Sequence, residues 1–306
     1  MKKIFITGAS GCVGHYVLEE FLKKKDYELH LLVRTPQKIK INLESHPQIK
    51  LHTGSLEKIQ EYKELLKDMD FLIHIATSWE NSDLAYKINV EKTFELFEYA
   101  QNCQKIIYFS TASILGKNNK VKPEAESAGT AYVRTKYLAY KKLGETKNLA
   151  AKTITLFPTL LFGGDNYRPL SHISSGIRPN VKFLKLLRFI YMDSTMHFIH
   201  AADIAQAVKY LVENNVKEKE FVLGNQVMCA KEIIKRLCAF FKIRVYFQIK
   251  IKPGFIFFLT KIFRKEIEPW DKHCIKNPYF EYKTVTPASF GLKPKYPTLE
   301  SILQDL

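Results

Sequence analysis

A chain of 306 residues, 46% hydrophobic and 25% charged, is long enough for one large core, or for one core carrying a dependent cap. Its composition excludes a disordered chain. The formal net charge of +16 favours acidic partners such as a phosphorylated cofactor, an anionic membrane surface or nucleic acid, against the plainer reading of a solvated, lysine-rich surface.

The five cysteines (Cys12, Cys103, Cys229, Cys238, Cys274) form no CxxC pair, and the odd count suits reduced thiols. The histidines show no HExxH or comparable cluster; His197 and His200 lie three apart and read as packing residues, so no metal is expected. The opening MKKIFITG breaks its apolar run at a glycine after four residues, too soon for a secretory leader. No run approaches a membrane span. These features assign the chain to the cytoplasm.

In chain order, KIFIT (3–7) reads as a strand. An amphipathic helix follows over 13–24, with Val13, Val17, Leu18, Phe21 and Leu22 on one face. Strands are predicted at 28–33, 49–54 and 70–76, with a helix at 56–67. A helix at 84–101, a strand at 105–111, a helix at 131–147 and a strand at 152–157 continue the alternation. Nearly continuous apolar strands between helices predict an α/β fold with a doubly wound, mostly parallel Rossmann sheet. After Pro158 the rhythm loosens. The glycines and prolines of 163–195 predict a loop-rich passage, followed by a helix capped at or near Asp203 and a strand at 220–224. The expected division is a dinucleotide-binding unit of 1–159 plus about 196–225. The remainder, about 160–195 plus 226–306, is expected to form a smaller C-terminal substrate cap.

ITGASGCVGHYV sets Gly8, Gly11 and Gly14 between the first strand and the first helix. Such a turn lets backbone approach a pyrophosphate closely and turns unpaired helix N–H groups toward its charge. Twenty residues beyond Gly14, where an acidic side chain would hold an adenosine ribose, stands Arg34, followed by Lys38 and Lys40. A forked guanidinium suits a 2′-phosphate, which favours NADP(H) over NAD(H).

Eight segments in order (TGASGCVG, DFLIHIAT, NVEKT, IIYFSTASILG, YVRTK, TLFPTLLFG, FIHAADIAQAV and FVLGN) resemble the extended short-chain dehydrogenase/reductase family, also called the NAD-dependent epimerase/dehydratase family. The resemblance covers most of residues 3–225. It implies a catalytic set of Thr111, Tyr132 and Lys136, with Ser110 and Ser113 as less favoured hydroxyls. Tyr132 is then the general acid/base, its phenol eased toward ionisation by the lysine. The same resemblance implies cofactor contacts from Gly8, Ser10, Gly11, Cys12, Val13, Gly14, Arg34, Ser55, Leu56, Ile75, Ala76, Thr77, Tyr132, Lys136, Phe157, Pro158 and Thr159. It places Asn89 as a brace for the active-site loop. Trp79, after the fourth strand, and Ser113 are candidates for the substrate side, with a buried packing role as the alternative for Trp79.

Three positions depart from the family pattern: Phe157 for an arginine, Ser55 for an aspartate and Lys92 for a glycine. LFPTLLFG and Arg34 resemble the reductase and hydroxysteroid-dehydrogenase branch more than the sugar-nucleotide epimerases. The reaction implied is carbonyl and secondary-alcohol interconversion on a fairly apolar small molecule. The alternative is a nucleotide-sugar epimerase or dehydratase with tightly bound NAD. A minor alternative is a non-catalytic RNA-binding or scaffold relative, although no specific nucleic acid is expected. A homodimer is the assembly that the family suggests.

Two features remain open at this stage. Tyr-x-x-x-Lys occurs at Tyr132, Tyr137, Tyr246 and Tyr279, so spacing alone selects none. The segment 251–265, aromatic and flanked by lysine and arginine, suits an anionic membrane surface, but a cap helix packed on the sheet is the preferred reading.

Overall fold

The computed structural model describes residues 1–305. Its centre is an eight-stranded sheet built from β1 (Lys2–Thr7), β2 (Tyr27–Val33), β3 (Ile49–Thr53), β4 (Phe71–His74), β5 (Lys105–Phe109), β6 (Thr153–Pro158), β7 (Glu220–Leu223) and β8 (Thr284–Val285). The spatial order is β8-β7-β6-β5-β4-β1-β2-β3, and every pairing within it is parallel. The predicted Rossmann sheet is therefore present. Consecutive residues of the inner strands are buried because helices cover both faces.

Alternate side chains divide β1 between two cores. Ile4 and Ile6 face one side, packed with Val17 of helix α1 (Cys12–Leu22) and with Ile204 and Val208 farther along the chain. Phe5 faces the other, with Leu72, Phe97, Ala139 and Leu143. The order reverses between β1 and β4, and a crevice at the carboxyl ends of those two strands is where open α/β sheets take ligands.

Four expectations need correction. The passage 163–195 is not all loop: helix α3 (His172–Leu187) runs through Gly176 and Pro179, started by Ser171, whose side chain accepts from the Ser174 N–H. Pro179 forgoes one intrahelical bond, while Ile173 and Ile177 pack the helix against the apolar cluster of Phe162 and Phe198. The later helix α4 (Ala201–Glu213) is capped by His200, whose Nδ1 accepts from Ala202 N–H at 3.1 Å. Asp203 is instead fully buried and receives the backbone N–H groups of Lys295 and Tyr296, tying the C-terminal segment to the sheet. Residues 226–306, which begin with helix α5 (Ala230–Phe240), do not all lie off the sheet, because β8 adds to its edge beside β7. Finally, the helix expected over 84–101 is two α-helical pieces, Ser82–Tyr86 and Thr93–Tyr99, joined by a π-helical turn at Lys87–Lys92.

Candidate active site

The glycine turn is shaped by close approach. Gly8 has φ +79°, and a β-carbon there would stand 2.6 Å from the Ala76 nitrogen. The same addition at Gly14 would stand 2.2 Å from the Gly8 carbonyl oxygen. Side chains at either position would therefore separate β1 from the end of β4 or push α1 off the turn. Gly11 differs: it is exposed, and its would-be β-carbon meets nothing closer than 3.4 Å. Gly11 N–H closes the turn onto Gly8 O at 3.1 Å. Cys12, Val13 and Gly14 open α1, so their N–H groups have no partner one turn back. This cradle fits a pyrophosphate. Ser10 and Cys12 are half-buried beside it, and Val13 is buried.

At the next edge of the crevice, Arg34, Lys38 and Lys40 are all exposed beyond β2. Ser55 is half-buried and Leu56 buried after β3. Ile75, Ala76 and Thr77 leave β4 half-buried, on the far side of Gly8.

The loop after β4 is held by Asn89, which is 1% exposed and projects from the π-helical turn. Its Oδ1 accepts from Thr77 Oγ1 at 2.9 Å and from Ser78 N–H at 2.8 Å. Its Nδ2 donates to Ser78 O at 2.9 Å and to Thr135 Oγ1 at 3.0 Å. One amide thus joins the loop to helix α2 (Ala131–Glu145) at the residue preceding Lys136. The π turn shifts the helical register so that Asn89 reaches inward, and such turns recur at functional sites.

Helix α2 starts at Thr130, whose hydroxyl accepts from Val133 N–H. It carries Tyr132 on its first turn, half-buried, and Lys136 one turn later, 2% exposed. Lys136 Nζ donates to the Phe109 carbonyl at the end of β5 at 2.7 Å and stands 5.0 Å from the Tyr108 ring centroid. Burial draws the Lys136 pKa down to about 7. Tyr132 moves the other way: burial raises its pKa to about 12, opposed by the hydroxyl of Thr111. Thr111 thus lies beside Tyr132. Its own Oγ1 donates to Ser113 Oγ at 3.2 Å and accepts from Ser113 N–H.

Burial therefore outweighs any easing of Tyr132 toward ionisation. Desolvation dominates the phenol, and the ammonium that would oppose it is itself weakened by burial.

Trp79 lies flat on Tyr132, with ring centroids 3.7 Å apart and planes 14° apart, while its outer surface remains 65% exposed. His172, the first residue of α3, stands 6.4 Å beyond the indole at 24°. The aromatic column Tyr132–Trp79–His172 thus runs from helix α2 through the loop after β4 to helix α3. Trp79 had a sequence signal in its place after β4, whereas His172 had none, because its helix was read as loop.

Not every expected residue presents a side chain to the crevice. Phe157 is 1% exposed and packed with Ile114, Val133 and Trp270, so only its backbone is free to line a site. Thr159 Oγ1 is committed to Leu223 O at 2.9 Å, and Pro158 lies half-buried between them. Ser110, the less favoured hydroxyl, is buried with its Oγ unpaired. Tyr137 is half-buried against the apolar cluster that includes Trp270, which Tyr132 also touches, but of the two only Tyr132 stacks on Trp79. Beneath the site lies a polar line the sequence did not suggest. His74 Nδ1 is 2.7 Å from Thr7 Oγ1, and its Nε2 is 2.9 Å from Thr93 Oγ1. Burial holds that imidazole neutral.

Against known proteins, residues 4–224 match the model of the "NAD dependent epimerase/dehydratase family". The chain belongs to that family. A curated relative, the sterol-4-alpha-carboxylate 3-dehydrogenase (decarboxylating) of Dictyostelium discoideum, is 33% identical over 103 residues, 32% of this chain and 30% of the relative. The chain thus spans about a third of the length of that curated relative. Among solved structures, the terminal R domain of the myxalamid PKS-NRPS pathway superposes with a TM-score of 0.73 at 17% identity, covering 100% of this chain and 89% of that one. UDP-N-acetylglucosamine 4-epimerase of Methanobrevibacter ruminantium, solved with UDP-N-acetylmuramic acid, gives 0.69 at 15% identity, covering 99% and 96%. At these identities the two structures share the fold alone. Among the described residues, no helix is long and apolar enough to cross a membrane.

Proposed function

We propose that this protein is an NADP(H)-dependent oxidoreductase that reduces a carbonyl of a fairly apolar small molecule to a secondary alcohol, or runs the reverse reaction. The observation that carries the reading is the column of Trp79 on Tyr132 beside the Thr111–Ser113 hydroxyl pair. It combines one proton source, two oxygen-orienting hydroxyls and an apolar cover. The pyrophosphate cradle at Gly8–Gly14 and the exposed Arg34, Lys38 and Lys40 support a dinucleotide with an extra phosphate. Contacts from Ser55, Leu56, Ile75, Ala76, Thr77 and the backbone of Phe157–Thr159 complete the assigned cofactor site.

When bound, the nicotinamide supplies or accepts the hydride. Thr111 and Ser113 orient the substrate oxygen. In reduction the Tyr132 hydroxyl gives its proton to that oxygen, where the C=O π pair forms the new O–H bond, and the phenol's own O–H pair stays on the phenolate. With its pKa raised to about 12, Tyr132 is protonated at neutral pH and ready to act as the acid. Lys136 stands one turn away, where its charge stabilises the resulting phenolate. Trp79 excludes water from the proton transfer.

Quenching titrations with NADPH and NADH, on the native chain and on Arg34→Glu, test the cofactor assignment. NADPH is expected to bind about ten- to a hundredfold more tightly than NADH, as loss of one charge-assisted contact implies, and Arg34→Glu to abolish the difference. Tighter NADH binding, or NAD that copurifies and does not exchange, would instead support a transiently oxidising epimerase.

A further inference from the structure

Helix α6 (Pro253–Ile262) is rich in phenylalanine and isoleucine, yet none of its residues is buried. The preferred sequence reading, a cap helix packed onto the sheet, is therefore not what the fold contains. Phe255, Phe258 and Ile262 fall on one helical stripe and are 49%, 57% and 56% exposed, and Phe263 at the helix end is 71% exposed. An isolated exposed phenylalanine needs no explanation; a contiguous stripe on a short helix does.

The stripe does not stand alone. The strand preceding it, Ile249–Ile251, pairs with Ile190–Met192 at the end of α3. Arg188 Nη1 donates to Arg244 O at 2.9 Å, and the rings of Phe189 and Phe247 lie 5.1 Å apart. These bonds join the exposed Phe183, Leu186 and Leu187 of α3 to the exposed Tyr246, Phe247 and Ile249.

Charge on this joined segment is one-sided. Residues 241–265 hold seven lysines and arginines and no aspartate or glutamate, and residues 176–192 hold four and none. Of the seven, only Lys250 pairs with a carboxylate among the described residues, that of Asp193. Lys252 opens α6, while Lys261, Arg264 and Lys265 close it, so the cations flank the apolar stripe at both ends.

We infer that this face docks on an anionic phospholipid bilayer, with Phe255, Phe258, Ile262 and Phe263 entering the headgroup boundary and the flanking cations binding lipid phosphates. Aromatic and aliphatic residues at the centre with cations at the rim match an interfacial helix. Nucleic acid would favour cations interleaved along a groove, and a second copy of so basic a surface would repel the first. Helix α3 connects this face to the active site: it begins at His172 beside Trp79 and ends at Leu187, about 24 Å away for its length.

The test is flotation of the full chain with vesicles of phosphatidylcholine, alone or with about one third phosphatidylglycerol. Flotation with the anionic vesicles only, and its loss in high salt, is the expected result. Each basic residue at an anionic surface is worth about fivefold, so Lys261→Glu/Arg264→Glu/Lys265→Glu is expected to lower partitioning at least about a hundredfold. Phe258→Ser/Ile262→Ser should lower it about tenfold with an unchanged far-ultraviolet circular dichroism spectrum. Equal flotation with both compositions, or with neither, would overturn the inference. So would a dimer that Phe258→Ser dissociates and that ignores vesicles, or single-stranded RNA displacing the protein from the vesicles.

Discussion

The glycine turn and helix α6 meet solvent in opposite ways. At the turn, backbone is packed so tightly that one added carbon at Gly14 would lie 2.2 Å from another residue's oxygen, and the side chains around it are buried. At α6, large apolar side chains lie on the outside and no residue is buried. The first region is specified by what cannot fit. The second is specified by composition, and its apolar surface makes sense only with something outside the chain.

Changes at the tight end should break this contrast most severely. Gly14→Val is expected to abolish dinucleotide binding and to lower the melting temperature, since neither Gly8 nor Ala9 backbone can move aside without disturbing β1; calorimetry and nucleotide titration check both. Gly254→Ala in α6, where an added β-carbon meets nothing within 4 Å, should leave both unchanged or raise stability slightly.

Asn89→Ala is next. It removes four hydrogen bonds of a buried amide and leaves Ser78 N–H without its acceptor, while Thr135 keeps only its bonds within α2, a loss of about 2–3 kcal/mol in stability. Its turnover is expected to fall about tenfold while Asn89→Asp retains part of the loop contact, as steady-state kinetics with both variants would register.

A pH dependence of stability follows from Lys136. The native Lys136 pKa lies near 7, below the usual lysine value, so between about pH 7 and 10 the unfolded chain binds the extra proton. Stability therefore rises with pH across that window, and the cost of the buried ammonium is fully felt below it. Lys136→Met should be the more stable protein at pH 6, with a flatter profile up to pH 10. Urea midpoints at both pH values measure the difference.

How far the sequence could be read follows the same division. Apolar runs on both sides of each helical pattern are enough to predict β1 to β7, because parallel strands buried on both faces leave few other arrangements. The glycine turn was legible because its constraint is steric and local. Helix α3 is not: Gly176 and Pro179 outweigh its Ser171 cap and Ile173/Ile177 spacing on paper, whereas in the fold those two isoleucines pack against the cluster of Phe162 and Phe198. With α3 misread, His172 could not be placed over Trp79. The raised pKa of Tyr132 was also hidden, since it depends on burial beneath an indole from another element. Asp203 looked like a cap by position, but its partners at Lys295 and Tyr296 lie about ninety residues away.

The doubled spacing in AYVRTKYLAYKK gives the most direct test of the central claim, that chemistry is centred on Tyr132. Hydride transfer should be followed by nicotinamide absorbance over a panel of apolar ketones and secondary alcohols, comparing Tyr132→Phe with Tyr137→Phe. The account predicts that Tyr132→Phe lowers turnover about 10²- to 10⁴-fold while binding NADPH normally, and that Tyr137→Phe stays within about twofold of the native chain. Full activity in Tyr132→Phe, or loss confined to Tyr137→Phe, would contradict it.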